Sequence, residues 1–229
     1  HEQDEALGNP RQGRDSRGRC VVKIPRDNIL YVVVFSFVVC GLFVTGLAAA
    51  NELTKEAVRA NKVFAAQSAV LDALGIAYAD RAEALSLYEA RVRAVEGAQP
   101  PAYSGELDGA PVFAVEMAGP GLWGTIVAVV AADADLSTVR GIQILSQNET
   151  PGLGGRIDEP WFKAQFRGER ISSGAIRVTS GAEATGTGDA DPGNALVDGV
   201  SGATRTTQAM EKIVNDALKR VGIVAGGGR

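Results

Sequence analysis

From Ile29 to Ala50 the chain reads ILYVVVFSFVVCGLFVTGLAAA, without a single charged side chain. A helix needs about 20 apolar residues to cross the hydrocarbon core of a bilayer, and this run meets that length. It exceeds the ~7–15-residue apolar core of a signal peptide, although Ala48–Ala50 resembles a small-residue cleavage site. The sequence therefore predicts an uncleaved transmembrane anchor. A lipoprotein site at Cys40 is disfavoured, because valines precede it and the apolar run continues well past it. Arg11, Arg14, Arg17, Arg19, Lys23 and Arg26 crowd the N-terminal flank, whereas Asn51 and Glu52 open the other. The positive-inside rule then predicts a single pass with the N-terminus in the cytoplasm and the bulk of the chain on the periplasmic side of a bacterial inner membrane. Lys55, Arg59 and Lys62, near the exit side, pull weakly against that orientation.

The main region is limited in the chemistry it can perform. The only cysteines are Cys20 and Cys40, and the only histidine is His1. Everything after Ala50 thus lacks the usual ligands of zinc, haem and cysteine-bound iron–sulfur sites, and it cannot carry a Ser-His-Asp or Cys-His nucleophile system. A net charge of −4 leaves no basic footprint for nucleic acid. Redox chemistry here would require an organic cofactor.

Patterning divides the chain into a leader (1–28), the anchor (29–50), a helical and linker part (51–110) and a main domain (111–229). Helical spacing is predicted over Asn51–Gly75 and Arg81–Val95, and the Gly, Pro and Ser residues of Gly97–Pro111 predict a loop. Strands are predicted at Pro111–Met117, Thr125–Ala131, Val139–Leu145 and Ala175–Thr179. A short helix should start near Pro160. Ser180–Asn194 has no periodicity, and Thr206–Val221 carries an apolar face of Met210, Ile213, Val214, Ala217 and Leu218. The class is α+β: a transmembrane helix, then one domain with a mixed sheet flanked by helices.

Two segments have compositions that packing alone does not explain. NETPGLGGRI (148–157) follows a strand and concentrates glycines, which permit close approach of backbone to a flat ligand. DGVSGATRTT (198–207) puts the Thr204 hydroxyl at the start of the last helix, where unpaired N–H groups and the helix dipole favour a phosphate. Each has a plain alternative. The first could be a turn, and in the second Ser201 or Thr204 could be an ordinary N-cap.

Taken together and in this order, the motifs resemble the FMN-binding domain proteins of two membrane complexes. These are the sodium-translocating NADH:quinone reductase (its C subunit, NqrC) and the related Rnf complex (its G subunit). The family's flavinylation pattern stands here as Asp198-Gly199-Val200-Ser201-Gly202-Ala203-Thr204, and its loop as Glu149-Thr150-Pro151-Gly152-Leu153-Gly154. The resemblance implies FMN held covalently as a phosphoester of Thr204, installed by a flavin transferase from FAD. Asp198 would belong to the transferase's recognition element, with Ser201, Gly202 and Ala203 in the same motif. The Glu149–Gly154 loop (Glu149, Thr150, Gly152, Leu153, Gly154) would approach the isoalloxazine ring. The protein would then relay electrons from an iron–sulfur centre in partner membrane subunits to another flavin, anchored in lipid, inactive alone, with no metal of its own.

Trp123 in GPGLWG tilts the resemblance toward the sodium pump, since the Rnf relatives usually carry tyrosine-type variants there; core packing is its plain reading, and Trp161's too. Three departures weaken the choice between complexes: a shorter segment before Pro111, a longer arginine-rich leader, and Arg156 where relatives often have an acidic residue. A non-redox anchored binding module is the remaining alternative.

Overall fold

The computed structural model describes residues 12–14, 20–22, 29–179, 188–189 and 191–227, with side chains from residue 29 onward. His1, Cys20's side chain and most of the predicted 180–194 loop lie outside that set. The chain divides into two compact units, His1–Ala60 and Asn61–Arg229.

In the first unit, strands β1 (Gln12–Arg14) and β2 (Cys20–Val22) pair antiparallel. They precede helix α1 (Ile29–Leu74), whose first turns carry the predicted anchor. Its apolar side chains are bare: Phe37, Leu42, Phe43 and Leu47 are all largely exposed, as a lipid-facing helix requires. The sequence predicts anchor and following helix as separate segments, yet α1 runs unbroken. Nothing at Ala50–Asn51 stops a helix, and the Thr54 hydroxyl is absorbed by donating to the Ala50 carbonyl at 2.8 Å.

In the second unit α1 ends at Leu74 with Gly75 at φ 81°. Ile76 N–H donates to Leu71 O and Gly75 N–H to Asp72 O, a Schellman closure that glycine permits. Helix α2 (Arg81–Arg91) starts on Asp80, whose carboxylate accepts from Glu83 N–H at 2.9 Å. Then come β3 (Arg93–Ala94), β4 (Ala102–Leu107), β5 (Ala110–Pro120), β6 (Thr125–Asp133) and β7 (Val139–Ser146). These five form one antiparallel meander in chain order. Among the described residues, parallel pairing is confined to β8 (Arg177–Thr179) with β9 (Leu196–Asp198). Between β7 and β8 stand a 3-10 turn (Gly154–Asp158) and α3 (Pro160–Gln165), and the domain closes on α4 (Thr204–Gly226).

The predicted Gly97–Pro111 loop therefore contains a strand, β4. Its side chains are mostly half-exposed, so it shows little apolar alternation, and it is fixed by the tight turn at Asp108 (φ 52°) and Gly109 (φ 79°).

The period of two along β5 and β6 divides their side chains between two cores. Val115, Ala128 and Val130 join Phe162, Phe166 and the buried stripe of α4, including Met210, Ile213, Val214 and Leu218. Val112, Ala114, Val129 and Ala131 join Leu71, Ala73 and Leu74 of α1. A sheet covered on both faces is the α+β arrangement expected. Its consequence for function is that the β5–β6 turn, the loop after β7 and the start of α4 come together at one end.

Candidate functional site

Both glycine-bearing motifs are tight turns of one design. Thr150 O accepts from Leu153 N–H at 3.1 Å across Pro151-Gly152, and Val200 O accepts from Ala203 N–H at 3.1 Å across Ser201-Gly202. The third residue of each, Gly152 and Gly202, has φ 75°. That left-handed value is what glycine supplies at the third position of such a turn, and Pro151 presets the second. The turns approach each other: a Cβ built on Gly202 would stand 3.4 Å from Leu153 Cδ2.

Glu149 ties the arrangement together. It is buried, and Oε1 accepts from the backbone N–H of Leu122 (2.9 Å) and of Trp123 (3.0 Å). Its other oxygen, Oε2, accepts from the Thr206 hydroxyl at 2.5 Å. Glycines make room for the carboxylate. A Cβ on Gly121 would lie 2.5 Å from Glu149 Oε1, and one on Gly154 would lie 2.5 Å from Thr206 Oγ1. Segments 121–124, 149–154 and 203–206 are thereby held within a few bonds of one another.

At the centre stands Thr204, the first residue of α4, exposed to solvent. The N-cap position falls on Ala203, whose methyl side chain cannot accept a hydrogen bond, and Thr204 is the first residue inside the helix rather than its cap. The first-turn N–H groups have no intrahelical acceptor, which suits an anion. Around this polar point lie apolar side chains that a packed domain would ordinarily bury: Leu122 is 51%, Trp123 70% and Leu153 46% exposed. Trp123 is thus not a core residue, whereas Trp161 is half-buried against the α4-side core. A helix start that offers first-turn N–H groups beside exposed apolar side chains is the environment that FMN's charged tail and flat ring call for, and the residues present fit that group.

Asp198 sits one turn away on β9, and its placement depends on Gln165. Gln165 Oε1 accepts from Asp198 N–H (2.9 Å) and Asp189 N–H (2.6 Å), and Nε2 donates to Asp198 O (3.2 Å). The Asp198 carboxylate accepts from the Thr179 hydroxyl at 3.3 Å. Glu169 supports the same strand from beneath by accepting from Ala195 N–H at 2.7 Å. Burial pushes the Glu169 carboxyl up, Asp189 and Asp191 adding to the shift while the Ala195 bond opposes it.

Among the sequence-nominated residues, Glu149, Gly154, Trp123, Leu153, Gly202, Ala203 and Thr204 converge here, with Thr150 and Gly152 shaping the turn between them. Asp198 and Ser201 stand on the approach to the helix. Sequence reasoning missed Leu122, Thr206, Gly121 and Gln165. Only Gly121 and Leu122 left a trace, in the GPGLWG stretch. Among the described residues no group of His, Cys, Asp and Glu is arranged to hold a metal ion.

Residues 121–219 match the FMN-binding domain family. The chain is 39% identical over 101 residues to the C subunit of the Na(+)-translocating NADH-quinone reductase of Vibrio anguillarum, covering 42% of this chain and 37% of the relative. It is 41% identical over 101 residues to the Yersinia pestis protein of the same name, covering 42% and 36%. The match thus spans little more than a third of these relatives' length. By fold it is similar to the same reductase's C subunit from Parabacteroides distasonis (TM-score 0.58, 24% identity, 74% of this chain and 95% of that one). NqrC of Shewanella oneidensis is likewise similar (TM-score 0.60, 19% identity, 73% and 98%). These two likenesses establish the architecture alone. Residues 121–219 are therefore similar to the FMN-binding domain family, and C subunits of the Na(+)-translocating NADH-quinone reductases are among the proteins this chain resembles.

Proposed function

We propose that the protein is the membrane-anchored, FMN-carrying electron-transfer subunit of an ion-translocating NADH:quinone reductase. The observation that carries this reading is the exposed Thr204 hydroxyl on the first residue of α4, beside the exposed Leu122, Trp123 and Leu153. Attachment forms a bond between Thr204 Oγ1 and the FMN phosphorus. The pyrophosphate bond of FAD breaks, and AMP leaves with the hydroxyl proton, under a flavin transferase. The phosphodiester retains a negative charge, which the helix start stabilises by about 0.3–1 kcal/mol.

Bound FMN supplies reversible acceptance and release of electrons. The chain's own residues hold it, orient it and exclude water from one side of the ring. No general acid or nucleophile is needed, consistent with a domain without histidine or cysteine. Covalent attachment suits a cofactor on the outer side of a membrane, where a dissociating flavin would be lost. The α1 anchor and the arginine-rich flank support that topology, with electrons passing from an iron–sulfur centre of partner subunits to another flavin. The curated relatives above carry sodium-pump names, which favours that complex over Rnf.

The test is in-gel flavin fluorescence after SDS electrophoresis of the full chain co-produced with a flavin transferase. Wild type should fluoresce and Thr204→Val should be dark. Fluorescence that survives the substitution removes Thr204 as the attachment point.

A further inference from the structure

We infer that Glu149 is a positioning residue: a buried carboxylate clamp that fixes Leu122 and Trp123 relative to Thr204 and sets a negative charge behind the ring site. It does not itself touch the ligand. The sequence nominates the residue as part of a loop that meets the ring, but its geometry turns it the other way. The side chain is 5% exposed, and both oxygens are engaged by neutral donors, two amides on Oε1 and one hydroxyl on Oε2.

The choice of partners points to positioning. Leu122 and Trp123 occupy a turn whose side chains face solvent, so packing does not hold them in place; the Gly121 N–H to Gly124 O bond (2.8 Å) closes the turn and the amide bonds to Glu149 tie it to the rest of the site. Thr206 is two residues beyond Thr204 on the first turn of α4, and it is buried. One carboxylate therefore couples the apolar wall of the site to the helix start that bears the attachment hydroxyl. Gly121 and Gly154 leave it no slack, because a Cβ at either would meet its oxygens at 2.5 Å and 2.9 Å. A glutamine could make bonds of the same shape. Carboxylate instead brings charge into a site of low exposure, where it is weakly screened and disfavours electrons added nearby.

The charge effect rests on flavin being held at Thr204; the clamp does not. Two substitutions separate them. Glu149→Gln keeps a carbonyl for the Leu122 and Trp123 amides and offers its NH2 to the Thr206 hydroxyl, while removing the charge. Glu149→Ala leaves two amides and a hydroxyl without their acceptor.

The experiment uses the full chain in detergent, flavin-free and flavin-loaded. In the flavin-free protein, amide hydrogen exchange at Leu122 and Trp123 should speed at least tenfold in Glu149→Ala and stay near wild type in Glu149→Gln, with Val115 and Val130 as unchanged references. In the loaded protein, Glu149→Gln should shift the reduction equilibrium about tenfold toward reduced flavin, or about 59 mV for a one-electron couple. Unchanged exchange in Glu149→Ala, or an unmoved potential in Glu149→Gln, overturns the assignment. If Glu149→Ala does not fold, Glu149→Asp replaces it: charge is kept, reach is shortened by one methylene, and exchange should still speed. Wild type that takes up no flavin would end the Thr204 reading, and the exchange measurement would still decide the clamp.

Discussion

Gly154 and Gly152 lie in one loop, two residues apart, and they should respond to alanine for opposite reasons. Gly152 has φ 75° and open space around a built Cβ, so Gly152→Ala costs only the left-handed conformation, about 1 kcal/mol. Gly154 needs no left-handed backbone, but its Cβ would stand 2.5 Å from Thr206 Oγ1, 2.9 Å from Glu149 Oε2 and 3.0 Å from Glu149 Cβ. The closest approach is about 1 Å inside ordinary contact of ~3.5 Å. Relief requires parting Glu149 from Thr206. Overpacking costs about 1–3 kcal/mol and a hydrogen bond to a charged group about 1.5–3, so Gly154→Ala should lose about 3 kcal/mol. At about 2–4 °C per kcal/mol for a domain of this size, the melting temperature falls by roughly 6–12 °C, against roughly 2–4 °C for Gly152→Ala. Thermal unfolding of the full chain in detergent, followed by circular dichroism, reads both. If Gly152→Ala proves as harmful as Gly154→Ala, the crowding argument is wrong.

Phe162 is fully buried and meets Trp161 and Phe166 edge-on, so Phe162→Ala should cost about 3–5 kcal/mol; a denaturation midpoint close to wild type would contradict the packing. Glu169 has a carboxyl raised in the folded state, chiefly by burial, so its charged form lowers stability at neutral pH and that cost fades as pH falls toward its ordinary 4.5. Glu169→Gln should therefore be more stable than wild type at neutral pH, with the gap closing in acid; parallel stability curves would count against it. A chain lacking residues 1–50 should stay in the supernatant after alkaline washing of membranes, whereas the full chain pellets; if both pellet, α1 is not the anchor.

The sequence was most informative where a physical rule acts locally. The helix of the uncharged run, the strands β5 and β6, and the apolar stripe of α4 all follow from local composition and patterning; the strands and the stripe took their expected form, while the helix of the run continues past its predicted end. The turn Thr150–Leu153 was legible too, because glycine after proline has few other uses, whereas the turn Val200–Ala203 was hidden behind the N-cap reading of Ser201 and Thr204. Long-range pairing was hidden. β4 has the composition of a loop, and only Asp108-Gly109 betrayed the hairpin that pairs it with β5. Nothing in the string distinguishes a carboxylate that points at a ligand from one that points at backbone amides, so the motif marked Glu149 without revealing its bonds to Leu122, Trp123 and Thr206. Thr206 and Gln165 gave no signal, since a polar residue in a helix is usually solvated.

The bonds to Glu149 close chain loops of 27 residues, to Leu122, and 57 residues, to Thr206. Each doubling of loop length adds only about 0.6 kcal/mol of closure entropy, so the distance matters little to final stability. It matters more to timing. The β5–β6–β7 meander must be paired before the two ends of the carboxylate can find their donors, and contacts of this separation form slowly. The pocket is consequently a late product of folding. A peptide bearing DGVSGATRTT alone would own Thr204 but none of the side chains that surround it in the fold, so transplanting the motif moves the hydroxyl and leaves its environment behind.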